Sequence, residues 1–200
     1  MRLLPIVALV LAGCRSDQPA PLTGFLSDYS RLEPIEDGLR YLPGDGRLGE
    51  YDRFLLEPVR LRLHEDAEAD AAHAAELAAL KAHMTSAIAD ALRGAYRFTD
   101  EPGPGVARVR IALTDVMTSP ARQLLPGWRL RDPRSDEPGG ASMEAEILDS
   151  LTGEQIAALV ETQRGEQVPL ANLTRWSGAR AAMRDWAERF RQRLDEAHGR

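Results

Sequence analysis

Three stretches of this chain alternate apolar and charged residues with a period of two, and two others repeat apolar residues every three or four positions. In Val106–Val116, Val109, Ile111 and Leu113 fall on one parity and Arg108 and Arg110 on the other. Ser142–Asp149 sets Met143, Ala145 and Ile147 against Glu144 and Glu146, and Ile156–Arg164 follows after a Thr152-Gly153 turn as its hairpin partner. Arg53–Leu63 reads as another half-buried strand, with Leu55, Val59, Leu61 and Leu63 opposed to Arg60 and Arg62, and Pro58 hinting at a sheet edge. Between these runs lies a long amphipathic helix over about residues 66–94. Glu65, Asp66, Glu68 and Asp70 stand at its start, where the helix dipole favours negative charge, and Gly94 closes it. Its apolar stripe is Leu77, Leu80, Met84, Ile88 and Leu92; a C-terminal helix carries Trp176, Ala179, Met183, Trp186, Phe190 and Leu194, opposed by Arg180, Arg184, Glu188, Arg191 and Asp195.

Each strand has one apolar parity and each helix one apolar stripe, and both must be covered. The economical arrangement is an α+β two-layer sandwich: a mostly antiparallel sheet of about four or five strands, with both long helices on one face. The other sheet face would present Arg60, Arg62, Arg108, Arg110, Glu144 and Glu146 to water or to a polar partner. Residues 35–50, with Gly38, Pro43, Gly44, Gly46 and Gly49, read as loop.

The single cysteine, Cys14, sits behind the short apolar run Leu3–Leu11 and the small pair Ala12-Gly13, after Arg2. The run is too short to cross a bilayer, which needs roughly 20 apolar residues, and has the layout of a secretory signal. Leu11-Ala12-Gly13-Cys14 resembles the lipobox of bacterial lipoproteins, which implies alkylation of the Cys14 thiol with a diacylglyceryl group, cleavage before Cys14, and its acylation as the new first residue with palmitate-type chains. Arg15, in place of an aspartate after the anchor, implies delivery to the outer membrane by resemblance to enterobacterial sorting. The expected organisation is a signal peptide over 1–13, a lipidated tether over 14–23 and one globular domain over 24–200. About 187 residues remain after cleavage, enough for one real core. The net charge of −6 argues against nucleic acid as a partner.

Several blocks resemble the bacterial lipoprotein family built on the domain of unknown function 3313. They are Gly24-Phe-Leu-Ser-Asp-Tyr-Ser-Arg-Leu-Glu-Pro34, Tyr51-Asp52, Tyr96-Arg-Phe-Thr-Asp-Glu-Pro-Gly-Pro-Gly105 running into Ile111–Val116, Gly139-Gly-Ala-Ser-Met-Glu-Ala-Glu146 with Asp149-Ser150, and Trp186-Ala187. The resemblance implies an envelope lipoprotein with an α/β domain and carries over no catalytic residue.

Residues 118–141 join two strands through four prolines, three glycines and four arginines, a length that in a compact domain is usually functional or mobile. Leu124, Leu125 and Trp128 within it either form an apolar tip that meets a partner or fold back onto the core. Glu144 and Glu146, two apart on a strand, share a face and could form a carboxylate pair; surface charges balanced by Arg108 and Arg110 are the plainer reading. His64, His73 and His83 do not gather into a metal site, and no nucleophile elbow or phosphate loop is present, so no metal, cofactor or catalytic residue is expected. The segment Phe25–Leu32, with Tyr29, lies across the sheet as a strap or is itself a binding element. The function these features suggest is a non-enzymatic, periplasm-facing binding or assembly module, held on the membrane by Cys14 and serving an envelope protein partner. The alternative is a carrier of a small apolar or lipid ligand between sheet and helices, in space left by the small residues Ala71, Ala74 and Ala78.

Overall fold

Long alternating strands and two amphipathic helices dominate the structure, a computed structural model that describes residues 22–44, 46–62, 74–117, 140–164 and 176–200. In chain order the elements are β1 (Glu33–Ile35), β2 (Gly38–Tyr41), a 3₁₀ turn (Arg47–Glu50), β3 (Arg53–Leu56), β4 (Arg60–Leu61), α1 (Ala74–Leu92), β5 (Arg97–Phe98), β6 (Val106–Met117), β7 (Gly140–Asp149), β8 (Gln155–Arg164) and α2 (Ser177–Ala197). The strands form one sheet in the order β1-β2-β8-β7-β6-β3-β5, with β4 also paired to β6.

This sheet is larger than the four or five strands expected, and it is mixed rather than mostly antiparallel. β6, β7 and β8 form an antiparallel meander flanked by β2 and β1, but β3 and β4 run parallel to β6, and β5 parallel to β3. The reason is topological. The chain leaves β3 and β4, passes through α1 and returns into β6, and a crossover of that length brings the next strand back parallel. The expected single strand over Arg53–Leu63 is two, interrupted at Pro58, which has no N–H to give a ladder. Its parity also differs: Phe54 is fully buried while Leu55 is only partly so, and Val59 is buried beyond the break.

Residues 35–50, expected as loop, contribute β2 and the 3₁₀ turn. β2 hides its strand character because Gly38 lies against β8 so closely that a Cβ there would sit 1.9 Å from the carbonyl oxygen of Val160. Glycine is what permits that approach.

Both helices cover one sheet face. Leu77, Leu80, Met84, Ile88 and Leu92 of α1 and Ala179, Met183, Trp186 and Leu194 of α2 are buried against Val109, Ile111, Leu113, Met143 and Ile147. Phe54 meets Tyr96 and Phe190 edge-on at ring-centroid distances of 5.6 and 6.0 Å. The two helices are tied directly where His83 Nε2 lies 3.3 Å from the Arg180 carbonyl and Arg191 Nη1 donates to the Ala91 carbonyl at 3.1 Å. Burial pushes the His83 imidazole below its ordinary pKa. α1 stops where expected: Gly94 has φ of 79°, and the amides of Ala95 and Tyr96 both fold back onto the Leu92 carbonyl. Residues 66–73 of the expected helix lie outside the described residues.

The opposite sheet face differs most from expectation. β7 is buried along nearly its whole length, and Glu144 and Glu146 are 0 % and 1 % exposed. Those carboxylates do not meet water.

Candidate functional site

The segment that buries them begins where the described chain begins. Residues 23–32 cross the second sheet face as a strap, and Phe25 and Leu26 pack there with Ala112, Ala158 and Val160, flanked by Tyr29, Leu32, Leu39 and Tyr41. Apolar contact is half of the attachment. The other half is a row of donors aimed at β7. Glu144 accepts the amide of Thr23 at 2.6 Å, the amide of Phe25 at 3.3 Å and the hydroxyl of Tyr29 at 2.5 Å. Glu146 accepts the amide and hydroxyl of Ser27 at 2.9 and 2.7 Å and the Gln155 side-chain amide at 2.9 Å. Its other oxygen pairs with Arg110, whose guanidinium also lies 4.8 Å from the centre of the Phe25 ring.

The local sequence explains the arrangement. Alternate residues of a strand share a face, so Glu144 and Glu146 project together. Thr23, Phe25 and Ser27 also alternate, and their amides can follow the same spacing. Arg31 fixes the far end of the strap through Tyr41 Oη at 2.9 Å and the Gln155 carbonyl at 3.1 Å. Arg108 and Arg110 reach Glu57 at 3.8 and 3.7 Å, and Arg60 reaches it at 3.5 Å, so the remaining charges on this face are also gathered. Of the charge balance expected here, the Arg110–Glu146 pair is present. Glu144 is held by strap donors rather than by an arginine.

Chemically, this arrangement is a clamp that joins the strap to β7. The three hydrogen bonds to Glu144 and the four to Glu146 fill most or all of their acceptor sites, and the strap keeps water from both groups. Tyr29 bridges the clamp by accepting the Leu26 amide at 3.0 Å while donating to Glu144. Burial, reinforced by the hydrogen bond to Glu144, pushes its phenol up from 10.0 to about 12.

A second feature lies on the other face. Between α2, α1 and the sheet is a cavity of about 100 Å³, lined by Met84, Ile88, Val109, Ile111, Trp186 and Phe190 and rimmed by Arg40, Arg189 and Arg193. It lies between sheet and helices, but small alanines do not make it: Ala74 and Ala78 are exposed on α1, and Ala71 lies outside the described residues. The aromatic stripe of α2 faces inward as expected. Trp186 is buried, and Trp176 donates its Nε1–H to Glu76 at 2.7 Å.

Cys14, Leu124, Leu125 and Trp128, together with His64 and His73, lie outside the described residues. Among the described residues no group of three or more histidine, aspartate, glutamate or cysteine side chains could hold a metal ion, and no helix is long and apolar enough to cross a membrane.

Two outcomes follow from the clamp. Glu144→Ala leaves three donors without their acceptor, and a hydrogen bond to a charged group contributes about 1.5–3 kcal/mol. Urea unfolding should show a loss of that size, and limited proteolysis should cut first within residues 22–32; an unchanged midpoint with a resistant strap would contradict the clamp. The second outcome concerns alkali. Because the folded-state pKa of Tyr29 is raised, its contribution to stability is complete below pH 10 and is lost as pH rises from about 10 to 12. Tyr29→Phe should flatten that part of the pH–stability curve followed by circular dichroism; curves that stay parallel through this range would refute the assignment.

Comparison with known proteins adds the following. Among solved structures, the PelC dodecamer from Paraburkholderia phytofirmans aligns over 70% of this chain and 88% of its own, at 10% identity and a TM-score of 0.38. A protein from Caulobacter crescentus CB15 assigned as a lipoprotein aligns over 77% and 94%, at 12% identity and a TM-score of 0.34. A homologue of the neuraminyllactose-binding hemagglutinin from Helicobacter pylori aligns over 75% and 86%, at 10% identity and a TM-score of 0.35. Likenesses this distant carry no argument about function. No curated protein matches the chain. The profile of the family described as protein of unknown function (DUF3313) matches residues 21–190, a span that takes in the strap, the whole sheet and most of α2. The chain belongs to the DUF3313 family.

Proposed function

We propose that this protein is a lipid-anchored binding or assembly module of the bacterial envelope, without enzymatic activity of its own, held on the outer membrane and facing the periplasm. The observation that carries the reading is the position of the strap. The lipobox cysteine, Cys14, precedes Thr23 by a tether that spans at most about 30 Å at full stretch, and Thr23 is where the clamp onto Glu144 begins. A pull on the anchor is therefore delivered to the middle of the sheet rather than to a loose end. One acyl chain binds a membrane only marginally, whereas two or three anchor it stably, at ~0.8 kcal/mol per buried CH₂. The absence of catalysis is supported by the state of Glu144 and Glu146, whose oxygens are occupied by strap and sheet donors.

Cys14→Ser should move the protein from the membrane to the soluble fraction, and the wild-type N-terminal peptide should carry the mass of its acyl chains. An unmodified thiol in a soluble mature protein would reject the anchor. The working surface in this reading is the 118–141 segment, with Leu124, Leu125 and Trp128 meeting an envelope protein. Replacing Leu125 and Trp128 by serine should abolish an in-cell crosslink to that partner while unfolding stays cooperative; an undiminished crosslink would remove the segment from the account.

A second reading, a carrier of a small apolar ligand, is favoured by the cavity beneath α2.

A further inference from the structure

The rim of that cavity is more specific than its walls. Arg40 lies on β2 opposite Leu159 of β8, on the helix-covered face, and Arg193 lies on the last turns of α2. Both are half-buried, and among the described residues neither makes a hydrogen bond or a direct ion pair, Glu161 and Glu196 acting on Arg193 only through their charge. Arg189, the third rim arginine, is occupied: it pairs with Glu161 and donates to Gln163 at 2.9 Å. Glu146, whose atoms also reach the cavity wall, is claimed by Arg110 and the strap. Two half-buried guanidiniums thus lie beside each other without a direct ion pair among the described residues, with Glu161 and Glu196 only partly offsetting their charge. Burial depresses the Arg193 pKa and the charges of Arg40 and Arg189 add to the effect, against the opposing pull of Glu196 and Glu161.

The cavity wall holds a second uncompensated donor. Trp186 is 3 % exposed, and its indole Nε1–H has no acceptor among the described residues. Buried donors in folded proteins are nearly always satisfied, and an exception calls for an occupant. The carboxylates buried on the strap side, Glu144 and Glu146, have their oxygens filled by donors. Unpaired cations over an apolar hole are what remains when the complementary group is a ligand.

We infer that this cavity is a binding site for a small anionic amphiphile, whose carboxylate or phosphate head sits between Arg40 and Arg193 and whose short apolar group enters beside Trp186 and Phe190. The inference rests on the carrier reading and gives it a ligand class. Size sets the tail. A dry cavity of about 150 Å³ accepts benzene, and this one, at about 100 Å³, takes a short or branched chain and not a full acyl chain. Arginine suits the head, because its planar fork meets carboxylate or phosphate oxygens with two parallel hydrogen bonds.

The test uses the full mature chain labelled with ¹⁵N, with the Trp186 indole resonance assigned through Trp186→Phe. The probes are isovalerate, isopentyl phosphate, the neutral amide of isovalerate, and palmitate. The acid and the phosphate ester should each shift the Trp186 signal saturably, more weakly as salt rises, and which of them binds more tightly identifies the head group. The amide and palmitate should leave the signal in place. Arg40→Gln with Arg193→Gln should weaken binding of the acid at least tenfold with unfolding still cooperative, since neither side chain makes a hydrogen bond or ion pair among the described residues. Acid and amide binding alike, or undiminished binding by the double variant, would overturn the anionic assignment and leave an apolar carrier. Saturable binding of palmitate would overturn the size limit. No binding by any probe would overturn both this inference and the carrier reading.

Discussion

Two glutamates at the centre of β7 determine what the second face of the sheet can be. A carboxylate removed from water is costly unless its oxygens are filled by donors, and Glu144 and Glu146 lie in the middle of an eight-stranded sheet, out of reach of solvent. The strap solves this by turning its own backbone toward them. Its amides at Thr23, Phe25 and Ser27 would be equally costly to bury against an apolar face. Each half of the contact therefore depends on the other, and the aromatic and aliphatic side chains of Phe25 and Leu26 close the remaining gap. Without the strap, two acidic groups and a patch formed by Ala112, Ala158 and Val160 would lie open.

The two faces of β7 consequently have different characters. On the strap side the charges are gathered into pairs, Arg110 with Glu146, and Arg60, Arg108 and Arg110 with Glu57, while Glu144 is held by neutral donors. On the helix side the apolar packing is dense except beneath Trp186 and Phe190, and of the three arginines at that gap only Arg189 makes an ion pair among the described residues. A sheet closed on one face by its own chain has the other available for something else. In the proposed reading, an anchor at Cys14 and a ligand in the cavity act on opposite sides of the same strand, joined by its backbone.

Much of this was legible in the sequence. The alternating runs located β6, β7 and β8 and assigned the correct parity to Val109, Ile111, Leu113, Met143 and Ile147, and the three-four spacing located both helices and the glycine that ends α1. What was not legible has physical causes. β1, β2 and β5 are two to four residues long, too short for any periodicity to register. The parallel pairing of β3 and β4 with β6 depends on where α1 returns the chain, which local pattern does not encode. Glu144 and Glu146 read as solvent-facing because alternation reports which residues avoid the helices, not whether something else covers them. The signal was present in the Phe25–Leu32 segment, apolar residues set among small polar ones with Tyr29, but its acceptors lie more than a hundred residues away along the chain. The Arg40–Arg193 pair had no sequence signal at all, since the two residues meet only through the fold.

Native-state hydrogen exchange resolved at single amides tests the clamp most directly. If the strap is held by β7, the amides of Thr23, Phe25 and Ser27, which have no backbone acceptor, exchange as slowly as those of the β6–β7 ladder and open together. Exchange of these three at the rate of an unstructured peptide, while β7 remains protected, would mean that Glu144 and Glu146 are held by something other than this segment.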